Sequence, residues 1–212
     1  QASGQESKPL DEEAIAAIIE GYRSAAQKAA ESGFDVIEVQ AGHGYLVSQF
    51  LNKKTNQRND AYGPDRLLFS RQVLSAVREG ARVIPFIVRI SGNEMSPEFG
   101  ISTEDLLPFL KLAEDAGACA VHVGMGHACF SPPWYFHHGS LPEKPQMDAL
   151  SWVREQTSLP IIAAGRMGRE EKVRKVLDDG LADMVALGRP LIADFGLLEK
   201  WHEGTGRGPI YC

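Results

Sequence analysis

The sequence predicts an α/β protein built on a parallel sheet, and three observations carry that prediction. Short apolar runs of strand length alternate with stretches whose apolar residues recur at helical spacing. The runs are nearly continuous in their apolar character, as strands of a covered parallel sheet are. Glycines and polar side chains gather just past the carboxyl ends of the runs, where folds of this kind place their chemistry.

In chain order, Leu10-Asp11-Glu12-Glu13 opens the first helix, with Asp11 as N-cap and acids in the first turn. Ile15, Ile18, Ile19, Tyr22, Ala25 and Ala29 form its apolar stripe, and Gly33 closes it. Val36–Val39 reads as the first strand. A polar stretch from Lys53 to Gly63 leads to a helix around Arg66–Glu79, followed by a strand over Ile84–Ile90. Ser102-Thr103-Glu104-Asp105 starts a helix that runs through Leu112 towards Gly117. Ala118–Val123 is the third strand, and a loop rich in proline and aromatics covers Phe130 to Pro145. A helix over about Asp148–Gln156, a strand at Pro160–Ala164, a helix at Glu170–Asp179 and a strand at Met184–Leu187 complete the pattern. Strands separated by helices pair in parallel through right-handed crossovers. Only five strands are counted where a closed barrel needs eight, so the sheet is either open or short of three βα units.

Size and composition narrow the function. The chain has 212 residues and a net charge of −6. That is ample for one core, near the lower edge for a βα-barrel, and a poor match for nucleic acid or an anionic membrane. The apolar runs fall far short of the roughly 20 residues of a membrane span, and the polar start, Gln1 to Ser7, lacks the apolar core of a signal peptide. Cys119, Cys129 and Cys212 are odd in number and widely spaced, which argues for a reducing, cytoplasmic setting. The expected organisation is a tail or loop over residues 1–9 and one βα unit over residues 10–212.

The chemistry-bearing residues sit at strand ends. After Val39 come Gln40, His43 and Tyr45, separated by glycines that let the chain turn sharply. Arg89 ends the second strand, where a cation needs an anion, either a ligand's or a nearby carboxylate's. Two related turns, Ala163-Ala-Gly165-Arg166 and Ala186-Leu-Gly188-Arg189-Pro190, close the last two strands. Backbone N–H groups that glycine exposes, with a guanidinium beside them, suit a phosphate. His127, His137 and His138 lack metal-site spacing. Cys119 reads as a core thiol within its strand, and Cys129 is a loop residue with no assigned role.

Together these pieces resemble the Old Yellow Enzyme family of FMN-dependent oxidoreductases, in particular its branch with 2,4-dienoyl-CoA reductase and trimethylamine dehydrogenase. The likeness runs from about Leu10 to Cys212. It includes His43-Gly-Tyr-Leu…Gln49-Phe-Leu, Asn56-Gln-Arg-Asn-Asp-Ala-Tyr-Gly63, Val88-Arg89-Ile, Gly165-Arg166 and Ala182-Asp-Met-Val-Ala-Leu-Gly-Arg-Pro-Leu-Ile-Ala-Asp194. The resemblance implies a TIM (β/α)8 barrel of which this chain holds strands four to eight, with FMN at the mouth. It implies that Arg89 lies beside the flavin N1/O2 edge, and that main-chain groups of Gly165, Arg166, Gly188 and Arg189 hold the phosphate. Tyr45 matches the family's proton donor, and His43 the second residue of a pair that binds the substrate's activating oxygen. The implied reaction passes hydride from NAD(P)H through FMN to an activated C=C bond of a small unsaturated carbonyl substrate.

The chain departs from the family pattern in four places. Gln40 stands where the pair's first histidine is expected; an amide donates a hydrogen bond but cannot relay a proton. Gly63-Pro-Asp-Arg66 is a shortened version of the usual segment. The first three barrel strands are absent, so a further polypeptide is expected to supply them, in an oligomeric or larger assembly, because a bare half-sheet exposes its edges and an apolar face. Cys212 stands where larger relatives begin the cysteines of a 4Fe-4S iron–sulfur cluster; one thiolate cannot hold a cluster, so it is expected to be either the first ligand of a truncated motif or merely a terminal thiol. Two other functions compete: a scaffold subunit that has lost turnover, and a barrel isomerase or aldolase that binds a sugar phosphate. No Schiff-base lysine stands at a strand end to support the aldolase.

Overall fold

The computed structural model of the chain describes residues 8–204. Five strands, β1 (Ile37–Gln40), β2 (Phe86–Ser91), β3 (Val121–Gly124), β4 (Ile161–Ala164) and β5 (Met184–Ala186), pair in chain order, each parallel to the next. The helices between them are α1 (Glu12–Glu31), α2 (Leu46–Leu51), α3 (Leu68–Ala81), α4 (Thr103–Asp115), α5 (Pro132–Tyr135), α6 (Lys144–Gln156) and α7 (Glu170–Asp178). After β5 follow α8 (Arg189–Ala193) and α9 (Leu197–Glu203).

Local signals set the long helices. Asp11 Oδ1 accepts from the Ala14 N–H at 2.8 Å, and Ser102 Oγ accepts from Asp105 N–H at 3.2 Å, each satisfying a free donor of a first turn. Gly33 takes φ +79 just past α1, as a closing glycine should. The α1 stripe packs on α3. A Cβ on Gly80 would stand 2.2 Å from Arg23 O, so glycine there lets the two backbones approach. Ile15, Phe69, Phe109, Val88, Ile90, Val121 and Ile161 form the core between sheet and helices.

The strands are less uniform than expected. One face carries Val39, Val88, Ile90, Val121 and Val123 against the helices. Register brings Gln40, Arg89, His122, Ile162 and Met184 into one cross-strand row, and Glu38 stands two residues before Gln40 on its strand. Val36 lies outside β1 and is exposed, whereas Gln40 is the last residue of the strand. Cys119 is a correction: β3 begins at Val121, so the thiol sits in the approach to the strand and is exposed between buried Ala118 and Ala120. The Phe130–Pro145 loop contains the short α5, and α6 begins at Lys144, earlier than its spacing predicts. No helix among the described residues is long and apolar enough to cross a membrane.

Candidate active site

The turn after β1 is built from glycines and one buried carboxylate. Gln40 Oε1 accepts from Gly42 N–H at 3.0 Å. A Cβ on Gly42 would lie 2.4 Å from Ser91 N, and one on Gly44 would lie 1.9 Å from His127 Nε2. Both positions therefore need glycine, one against β2 and one against the loop after β3. Glu94, 1% exposed, accepts from Gly44 N–H (2.8 Å), Ser48 Oγ (2.9 Å) and Ile101 N–H (2.9 Å). This residue, unremarked in the sequence, ties the turn to α2 and to the chain before α4.

His43 and Tyr45 leave that turn in different directions. His43 has φ +63 and is 1% exposed, its ring edge-on to Tyr135 at a centroid distance of 5.2 Å. Burial, then the Arg89 charge, hold its imidazole down to about 3, so it is neutral at physiological pH. Tyr45 is 43% exposed, and its hydroxyl lies 3.0 Å from the Tyr135 hydroxyl. That hydrogen bond is the main cause that raises the Tyr45 pKa above its ordinary value, keeping the phenol protonated.

Arg89 has a carboxylate neighbour and also lines a cavity. Its guanidinium is 3.7 Å from Glu38, whose other oxygen lies 2.6 Å from His122 Nδ1. Burial pushes the Glu38 carboxyl up, but His122 and Arg89 outweigh it and hold the group below the usual range. Arg89 Nε and His122 Nε2 are buried with no hydrogen-bond partner. Glu38 and His122 escaped the sequence reading. The signal for them was a polar residue inside each apolar run, Val36-Ile-Glu38-Val39 and Val121-His122-Val123.

Both Gly-Arg turns open onto the same cavity of about 340 Å3, which Arg89, His122 and Tyr135 also line. Gly165 (φ +97) and Arg166 (φ +54) form a left-handed pair. Gln146 Nε2 donates to the carbonyls of Ala164 (2.7 Å) and Gly165 (2.8 Å), and its own carbonyl accepts from Lys172 Nζ at 2.8 Å. Burial is the main cause that lowers the Lys172 amine to about 8. The Arg166 guanidinium is committed to the carbonyls of Leu141 and Gly139, and Arg189 to that of Phe136. What the two turns offer an anion is therefore main-chain N–H, while their guanidiniums hold a loop. Gly165→Ala should lower the unfolding free energy by about 1–3 kcal/mol, the usual cost of a strained backbone position, and shift the denaturation midpoint down with it. An unchanged midpoint would show that the turn relaxes without it.

Neither His43 nor Tyr45 lines this cavity. Tyr135 links them to it, touching His43 with its ring and Tyr45 with its hydroxyl. A larger depression of about 520 Å3 lies elsewhere, along Leu10, Leu46, Phe50 and Arg58. The guanidinium of Arg58 is already paired with Asp60. No group of three or more His, Cys, Asp or Glu among the described residues could hold a metal. Cys212 lies outside the described residues.

A parallel βα sheet with cations, imidazoles and glycine turns gathered at the carboxyl ends of its strands defines the working face of a βα-barrel enzyme. The profile of the NADH:flavin oxidoreductase / NADH oxidase family matches residues 1–207, and the chain belongs to that family. It is 34% identical over 207 residues to a metal reductase of Desulforamulus reducens, covering 95% of this chain and 30% of that protein. Against an NADPH dehydrogenase of Geobacillus thermodenitrificans it is 33% identical over 198 residues, covering 88% of this chain and 55% of the relative. Among solved structures, a 2-naphthoyl-CoA reductase in complex with 2-naphthoyl-CoA superposes with a TM-score of 0.83 at 25% identity, over 93% of this chain and 30% of the other. Morphinone reductase in complex with tetrahydroNAD gives 0.72 at 28% identity, over 94% and 52%. The chain thus spans only 30% and 55% of the two curated relatives' lengths. Its fold is a partial βα-barrel of five parallel strands with their helices.

Proposed function

We propose that this chain is the part of an FMN-dependent oxidoreductase that carries the phosphate seat and the proton-donating groups, and that the enzyme uses NAD(P)H to reduce an activated C=C bond. One observation carries the reading: Arg89, His122 and both Gly-Arg turns converge on one cavity, and Arg89 Nε and His122 Nε2 are buried without partners. A buried polar atom without a partner is costly. A ligand with an electron-rich ring edge and a phosphate would satisfy the cation and the main-chain donors together, so the residues fit FMN. Bound FMN would supply the redox chemistry, taking hydride from NAD(P)H and giving it to the alkene.

The chain's own groups do the rest. Main-chain N–H groups of Gly165, Arg166, Gly188 and Arg189 hold the phosphate, a charge-assisted contact. Arg89 offsets negative charge at the ring edge, moderated by Glu38 at 3.7 Å. The Tyr45 hydroxyl delivers the proton, with Tyr135 holding it in place. Gln40 keeps its amide N–H2 free to donate to a substrate carbonyl while its oxygen holds Gly42. We assign His43, neutral and edge-on to the Tyr135 ring, to the same substrate oxygen, beside Gln40. The substrate class is therefore a small unsaturated carbonyl compound.

β1 and β5 are the edges of the sheet, and we assign the completing barrel strands to polypeptide outside these 212 residues. The test uses the full-length protein. Flavin absorbance that NADH or NADPH bleaches without oxygen, and an enone restores, is the expected result. A colourless protein that takes up no FMN would overturn the reading. A yellow protein that neither reductant bleaches would make the chain a scaffold.

A further inference from the structure

The loop after β3 behaves as a third wall of the cavity between the two Gly-Arg turns. Its path is set by those turns: Arg166 donates to the carbonyls of Gly139 and Leu141, and Arg189 to that of Phe136. Two cations that could have faced an anion are spent instead on fixing residues 136–141. Between these anchor points stands His137, itself left-handed at φ +49.

His137 lies directly over the first turn. A Cβ on Gly165 would be 2.1 Å from His137 Nδ1, so the ring occupies the space that glycine leaves open. Neither ring nitrogen makes a hydrogen bond within the described residues. Arg189 from α8, Lys172 from α7, Arg89 from β2 and Arg166 from the turn after β4 all act on it electrostatically. Such a setting repels a proton from the ring: burial first, then these cations, hold the imidazole down to about 4. It equally attracts an anion. A neutral imidazole keeps one N–H donor to offer it.

We infer that His137 is a further phosphate ligand, carried to the seat by the loop that Arg166 and Arg189 clamp, so that three elements rather than two enclose the cofactor's phosphate. This rests on the FMN reading above and adds to it a residue from a different element. The two arginines then act at one remove, by placing the loop, while the imidazole and the turn amides make the contacts.

The test compares FMN with riboflavin, which lacks the phosphate, on full-length apoprotein by flavin fluorescence quenching. Wild type should bind FMN far more tightly than riboflavin. His137→Phe keeps a ring against Gly165 but removes the N–H. It should weaken FMN binding about tenfold or more, the effect of losing one hydrogen bond to a charged group, and leave riboflavin binding within about twofold. His137→Gln, which restores a side-chain donor, should recover most of the loss. An FMN-to-riboflavin ratio unchanged in His137→Phe would overturn the inference while leaving the FMN reading intact. Equal affinity of wild type for the two ligands would instead remove the phosphate seat itself. Should His137→Phe fail to fold, His137→Leu, which also lacks a donor, replaces it: a fall in the FMN-to-riboflavin ratio supports the contact, and an unchanged ratio overturns it.

Discussion

Replacing Tyr45 by phenylalanine is expected to slow alkene reduction by the full-length enzyme about 10²–10⁴-fold, the usual worth of a positioned proton donor. Bleaching of the flavin by NAD(P)H should stay within about twofold. The reason is geometric and electrostatic. The Tyr45 phenol is exposed, held at 3.0 Å by the Tyr135 hydroxyl, and kept protonated by that bond. Only the second half-reaction needs a proton at carbon. Stopped-flow measurement of the two halves separately is the check; an equal fall in both would mean that Tyr45 shapes the pocket and donates nothing.

The second large effect belongs to Arg89. Arg89→Gln removes a guanidinium from the cavity and leaves the Glu38 carboxylate with His122 as its remaining partner. Flavin reduction by NAD(P)H should slow by about 10²–10³-fold, as when a preorganised charge-stabilising donor is lost. The flavin midpoint potential should fall with it. Glu38→Gln should move the potential the opposite way, because it removes the carboxylate that tempers Arg89. Anaerobic spectroelectrochemical titration reads both. Potentials that stay put in both variants would show that the Glu38–Arg89–His122 row is structural and does not touch the cofactor's electronics.

Much of the fold was legible because the relevant physics is local. Asp11 caps α1 through a donor three residues away, and Gly33 ends it through its own φ. The polar residues of the turns, Gly165-Arg166 and Gly188-Arg189, announce themselves at the ends of apolar runs, and they do line one cavity. The short α2, α5, α8 and α9 were missed because 4–7 residues hold too little periodicity to read. Cys119 was misplaced for a related reason: a strand boundary shifted by three residues turns a core position into an exposed one.

The site was legible only in part. Glu38 and His122 become partners because β1, β2 and β3 pair in one register. Tyr135 and His137 enter the picture because a loop of no regular pattern folds back over the strand ends. Glu94 holds three donors from three segments and shows no motif at all.

By itself, then, the sequence determined the parallel βα order, the helix caps and the glycine turns, and its likeness to a family put Gln40, His43, Tyr45 and Arg89 forward as candidates. The caps and turns follow from interactions that reach no farther than about one helical turn along the chain, and the βα order from the alternation of such segments. The tertiary structure alone decided that His43 is covered while Tyr45 is open, that Arg89 shares its charge with Glu38, and that the turn arginines at the cavity wall donate to the carbonyls of a loop. Those outcomes depend on strand register and on the route of one loop, and neither is written in the spacing of nearby residues.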